Sequence, residues 1–292
     1  MFRCDPMLFR SSHRRSSAFL ASVLCSTSAC LPAIGAENVA APNFAVNSNV
    51  GWIAYGPLFL PPLTGPGPVM DDPAHPWISN GIAAATGQQP TFPMGDANSP
   101  ILQPWAKAEL RKRNEAILSG KPGYARRASC WPMGVPGFLL LPVETNYIIQ
   151  TPTEVVMVSG VDHETRHIYL NVPHSERVKP SWYGESVGHY EDDALVVDTI
   201  GMNDQTWIDD FRTPHTDQLH VVERFRIIDS GMTMEVNVHV EDPGAFTTPW
   251  NAVQRFRRVE QGPMLEMSCA ENNRNFFNQD IEPIPQADRP DF

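Results

Sequence analysis

Beyond its first 36 residues this chain has no apolar run near the roughly 18 to 20 residues that a membrane span requires, only two cysteines, and more acid than base. Each scarcity excludes something. Without a long apolar run, no transmembrane helix is expected. With 33 Asp and Glu against 22 Lys and Arg, a formal net charge of −11, nucleic acid and anionic lipid are poor partners. Three of the five cysteines, Cys4, Cys25 and Cys30, fall in the first 36 residues, which leaves Cys130 and Cys269. A multi-bridge scaffold is therefore excluded. In an oxidising compartment the pair most simply forms one disulfide closing a very long loop, and two buried thiols are the alternative.

Residues 1–36 carry the features of a secretory leader. "MFRCDPMLFRSSHRR" is a basic n-region, "SSAFLASVLCSTSACLPA" a weakly apolar core, and "AIGA" a small-residue cleavage site. Arg14-Arg15 resembles a twin-arginine signal, with Sec export the alternative, and Thr27 argues against a lipobox at Cys30. The protein is expected to be periplasmic or secreted. Loss of Arg3, Arg10, Arg14, Arg15 and Asp5 with the leader leaves 18 basic against 32 acidic residues, a balance of −14.

Residues 37–103 contain most of the eleven prolines that lie between Pro57 and Pro104, and no sustained period. They predict an extended Pro/Gly-rich arm, and "PPLTGPGP" is compatible with wrapping its own domain or a neighbour's. Residues 104–120 predict one helix, with Pro104 first, Ala106, Leu110 and Ile117 on one stripe, and Gly120 as its cap. From Asn146 the period becomes 2. "MTMEVNVHV" alternates Met232, Met234, Val236, Val238 and Val240 with polar residues, and "NYIIQ", "EVVMVSG", "RHIYLN", "ALVVDTI", "LHVVERFRII", "NAVQRFRRV" and "MLEMSC" follow suit. About eight strands joined by hairpins predict a mainly β domain over 121–292. An antiparallel up-and-down barrel removes both sheet edges, and a two-sheet sandwich is the alternative.

Two catalytic spellings occur on this pattern. His163-Glu164-x-x-His167 matches a zinc-peptidase helix, but β-branched flanks predict a strand, on which the two imidazoles would lie roughly 13 Å apart. "GESVG" around Ser186 matches a hydrolase elbow, with Asp198 and His215 or His220 in a suitable order, but strand follows the serine where a helix is required. Neither spelling has its mechanical context, so no metal and no cofactor are expected. On a strand, Glu164, Arg166, Ile168 and Leu170 share one face, which places an acid and an Arg together on an apolar surface.

"SCWPMGVPG", "NYIIQTPTEVVMV", "HETRHIYL", "SWYGESVGHYEDDALVVDTIGMND", "ERFRIID", "VEDPGAFTTPW" and "MLEMSCAEN" form a series over roughly residues 130 to 272. The series resembles that of a family of exported proteins from soil and aquatic bacteria that has no established activity. The resemblance implies a lipocalin-like β-barrel. The chain departs from it at "NVPHSER", where the family has an Asp-Gly-Arg turn, and at Tyr190-Glu191-Asp192-Asp193, where it has Trp-Glu-Gly-Asp.

The polar residues of these motifs that could line a barrel lumen are Asn146, Tyr147, His163, Glu164, Arg166, His189, Glu223, Asp242 and Glu271. A buried carboxylate there would have a raised pKa and suit acid/base work with an imidazole partner. The expected catalytic set is His163, Glu164 and Arg166, with Tyr147 as proton donor. Asn146, Trp182, His189, Glu223 and Trp250 are expected to bind substrate. His163 and Glu164 can share the lumen only if a bulge near Gly160 re-aims one of them. The expected function is a metal-independent lyase, isomerase or hydratase acting on a small hydrophobic or aromatic molecule inside the barrel. A ligand carrier is the alternative, and a serine or zinc hydrolase a third.

Overall fold

A computed structural model describes residues 41–45, 47–121, 131–140, 145–160 and 163–266. Cys130, Cys269 and Glu271 lie outside the described residues, as does the whole leader-like segment within residues 1–40. The elements are β1 (Val50–Ala54), α1 (Asn80–Thr86), α2 (Pro104–Leu118), β2 (Thr145–Gln150), β3 (Glu154–Ser159), β4 (Thr165–Leu170), β5 (Glu185–Glu191), β6 (Ala194–Ile200), β7 (His220–Ile228), β8 (Thr233–Glu241) and β9 (Trp250–Glu260). Among the described residues, no helix is long and apolar enough to cross a membrane.

The nine strands close into a barrel in chain order, β9 pairing with β1. Against the eight segments expected as strands, β1 and β5 are additional, and "MLEMSC" contributes no strand among its described residues. β1 comes from the Pro-rich arm, fits between β2 and β9, and has all five residues buried. Strand number then decides strand direction. Directions cannot alternate all the way round an odd ring, so one neighbouring pair must be parallel. That pair is β4–β5, with three partners, Ile168↔Ser186, Tyr169↔Val187 and Leu170↔Gly188. The all-antiparallel up-and-down expectation is corrected accordingly, and residues 171–184 must return along the barrel before β5 can start. At the end of the pattern, Met264–Glu266 of "MLEMSC" lie outside any strand.

The rest of the arm lies on its own barrel. Leu60 bridges Val253, and Asn251 N donates to the Pro66 carbonyl. α2 starts with Pro104 at its first position and ends before Gly120, whose φ of +79° no side chain would favour. Its buried stripe is Ala106, Leu110 and Asn114, and the Trp105 indole donates to the Gly244 carbonyl in the β8–β9 turn.

Alternation along most strands, β1 excepted, selects the lumen side. β4 buries Arg166, Ile168 and Leu170 and exposes Thr165, His167 and Tyr169. The interior is packed with Trp52, Phe44, Phe225, Phe256, Met157 and the Gly137–Leu140 turn, in one cluster that also takes in Ala106 and Leu110 of α2. Each large side chain so buried contributes roughly 1.5–3 kcal/mol.

Candidate functional site

The barrel distributes the sequence-predicted residues over three places. Arg166 lies fully buried in the lumen, but its partner is Glu223 of β7 and not Glu164. Arg166 Nη1 donates to Glu223 Oε1 at 2.9 Å and Nη2 to Oε2, while Nε and Nη2 reach Ser186 Oγ at 3.3 and 3.2 Å and Nη2 reaches Thr199 Oγ1 at 3.0 Å. Ser186 is therefore a lumen residue on a strand, hydrogen-bonded to Thr199 at 2.9 Å. Asp198 and His220 do pair, at 3.1 Å, but on the opposite face of the wall. Asn146 also faces the interior, 1% exposed, its Oδ1 without a hydrogen-bond partner among the described residues.

His163 and Tyr147 hold the chain that follows β9. His163 has a φ of +55°, and its Nε2 lies 2.7 Å from the Leu265 carbonyl; the Tyr147 hydroxyl donates to the Gly262 carbonyl. Glu164 accepts from the Tyr183 hydroxyl. The expected catalytic quartet thus does not converge on one point. Trp182 packs edge-on against Trp131, exposed His189 lies beside Glu191, and buried Trp250 stacks edge-on with Phe246 as a core anchor.

A different group converges at the barrel end formed by the β6–β7 and β8–β9 connections. A cleft of about 860 Å³ opens there between α2 and residues 203–217, with Pro180 of the β4–β5 connection at its edge. The 19-residue connection 201–219 folds on itself because Met202, Ile208, Phe211 and Leu219 enter the core. Asp209, fully buried, accepts from Thr213 N and Oγ1 at 3.1 and 2.8 Å. Burial raises the Asp209 carboxyl to about 6 despite these bonds, and lowers Arg212 to about 10 despite nearby Asp209. Arg113 of α2 stands over the Trp207 ring at 5.4 Å and donates to the Arg212 carbonyl, fixing the cleft wall.

Within that wall, His215 Nδ1 lies 2.9 Å from the Thr216 carbonyl and Nε2 lies 2.8 Å from Thr206 Oγ1. A carbonyl only accepts, so Nδ1 carries the proton, and in the neutral ring Nε2 accepts from the Thr206 hydroxyl. Burial holds the imidazole below its ordinary pKa, with the Thr216 bond acting against it. Asp242, in the β8–β9 turn, fixes Thr216 by accepting from its N and Oγ1 at 2.6 and 2.7 Å. The same carboxylate accepts from Gly244 N and Ala245 N. This is a hydroxyl, a base and an orienting group in hydrogen-bond reach on the wall of a large cleft among shifted titratable groups.

A second set of imidazoles crosses the outer wall from β5 to β9. His174 lies 3.0 Å from Glu185 and 2.8 Å from Asp198; His220 lies 3.1 Å from Asp198 and 3.5 Å from Glu241; His239 lies 3.0 Å from Glu241 and 2.8 Å from Asn251 Oδ1. A neutral imidazole has one N–H, so this ladder makes all its bonds only with doubly protonated rings and ionised carboxylates. Burial opposes charge on His239, but the Glu241 and Asn251 bonds together raise its pKa. Ser175 lowers Glu185, His239 lowers Glu241, and His174 and His220 outweigh burial to lower Asp198. The raised His239 stabilises the fold below the ordinary value of 6.5, and this contribution is lost as pH rises through its folded value. The lowered Glu241 contributes above its ordinary 4.5 and loses that as pH falls. His239→Gln is therefore expected to lower the melting temperature most between pH 4.5 and 6.5 and progressively less above. A difference from wild type that grows from pH 6.5 to 8.5 would contradict the ladder.

Thr206 was obscure in the sequence because no motif holds it, and His215 entered only as a candidate partner of Ser186 in the hydrolase spelling. One signal was present: a 19-residue connection between two strands is long for a hairpin and contains Trp207 and Phe211. Compared with known protein families, curated proteins and solved structures, the chain finds no match.

Proposed function

We propose that this chain is an enzyme performing acid/base chemistry, of lyase, isomerase or hydratase type, on a small apolar or aromatic molecule bound in the cleft beside α2. His215 is the base and Thr206 passes the proton to it. The observation that carries this reading is the fixed tautomer: Nδ1 is committed to the Thr216 carbonyl, so the Nε2 lone pair is turned to Thr206. An imidazole held below its ordinary pKa is neutral at pH 7 and able to accept a proton. Trp105 and Trp207 give the cleft its apolar surface. Asp242 acts through Thr216 as a positioning residue.

The sequence resemblance supports the same end of the barrel. "VEDPGAFTTPW" supplies Asp242, and "SCWPMGVPG" supplies Gly134, which packs on Thr206. The leader features support action after export, in the periplasm or outside the cell.

Proton abstraction leaves a trace without knowledge of the substrate. The protein is incubated in deuterated water with small-molecule extract of its host, and deuterium incorporation is followed by mass spectrometry. Wild type is expected to label at least one compound. His215→Gln should slow labelling by about 10²–10⁴-fold, Thr206→Val should slow it as well, and Thr206→Ser should restore it. Labelling that is indifferent to His215, or none at all, contradicts the proposal.

The carrier reading draws on one observation of its own. At the other end of β7 a cavity of about 610 Å³ is lined by Tyr55, Leu58, Leu60 and Ile228 with Gln254. An organic molecule retained in native mass spectra, and never turned over, would favour it.

A further inference from the structure

The parallel seam carries a second cavity. Pairing between β4 and β5 begins at Ile168↔Ser186, so the strands part on the Arg166 side, and the returning segment 171–184 passes over the gap. The groove left there measures about 430 Å³. Its walls are the outer-face rings of His167 and Tyr169, stacked at 6.4 Å with 20° between planes, and the ring of Tyr183. Ser186 forms its floor, 2% exposed, with Arg166 Nε and Nη2 behind it at 3.3 and 3.2 Å. Arg177 and Lys179 stand at the rim.

Charge is what makes the groove informative. Arg224, Arg226 and Arg255 each lie against a carboxylate. Arg177 and Lys179 have no such partner among the described residues, in a chain of net charge −11. Glu185, which also borders the groove, makes no ion pair with either; its oxygens meet Ser175 N, Ser175 Oγ and His174 Nδ1. Two cations without an ion-pair partner among the described residues, lining one groove with stacked rings, match an anion carried on a planar apolar body.

We propose that this groove is a binding site for a small organic anion, a carboxylate or phosphate monoester on an aromatic ring, with Arg177 and Lys179 holding the charge and Tyr169 and Tyr183 flanking the ring. Calorimetric titration of the full chain with phenyl phosphate, benzoate and inorganic phosphate tests it. Phenyl phosphate or benzoate is expected to bind saturably at one site, and inorganic phosphate about tenfold more weakly, for want of the ring. Arg177→Gln/Lys179→Gln should weaken the ring-bearing anions by at least about tenfold. Both residues are exposed, so its melting temperature should match wild type. Trp105→Ala, in the other cleft, should leave the affinity unchanged. Absence of saturable binding, equal binding by the double variant, or loss of binding in Trp105→Ala overturns the proposal.

Discussion

Arg166→Met is expected to destabilise the barrel by about 3–5 kcal/mol, because it leaves the Glu223 carboxyl buried in the lumen without its partner. Both side chains are fully buried, and Glu223 has a two-pronged bond to the guanidinium. At roughly 2–4 °C per kcal/mol for a domain of this size, the melting temperature should fall by roughly 6–20 °C. Arg166→Met/Glu223→Leu removes both charges and should recover most of the loss, since Ser186 and Thr199 keep each other as partners. Urea unfolding of the wild type, both single variants and the double variant gives the coupling. If the double variant is as unstable as the two single losses added, the pair is not the unit described.

The second large effect is expected at Gly134. Its φ is +71°, and an added Cβ would lie 2.6 Å from Thr206 Oγ1, 2.8 Å from Cγ2 and 2.9 Å from Cβ. Gly134→Ala therefore pays a backbone cost of about 1–2 kcal/mol and a packing cost of about 1–3 kcal/mol, and pushes Thr206 away from His215. Gly87→Ala provides the reference, because Gly87 has a φ of +72° and open space around it. Gly134→Ala should be the more destabilised by the packing difference and should lose deuterium labelling, whereas Gly87→Ala should keep it. Equal stabilities for the two variants would mean that Thr206 is not held from the Gly134 side.

Much of the wall was legible because half-buried strands alternate, and β4 shows how far that goes. Alternation placed Arg166 inside with Ile168 and Leu170, as found. It could not supply the partner, since Glu223 is 57 residues away and reaches Arg166 across the lumen; the nearer Glu164 took its place in the reading. β1 escaped because "VGWIA" is buried throughout and has no alternation to detect. With β1 and β5 absent from the strand pattern and "MLEMSC" counted in it, the expected count came to an even eight, and the parallel pair and its groove stayed hidden. α1 escaped for the opposite reason: none of "NGIAAAT" is buried, so it has no apolar stripe. The Thr206–His215 pair depends on two connections meeting through Asp242 and Thr216, a contact that no local pattern encodes.

The central claim is that His215 is a neutral base with its lone pair at Nε2, turned to Thr206. Long-range proton–nitrogen NMR of nitrogen-15 histidine-labelled protein from pH 4 to 8, with His215→Gln to assign the signal, measures this directly. The expected spectrum at pH 7 has the proton on Nδ1 and an unprotonated Nε2, and His215 gains charge only below the ordinary histidine value of 6.5. A proton on Nε2 at neutral pH, or a titration at or above 6.5, would contradict the account.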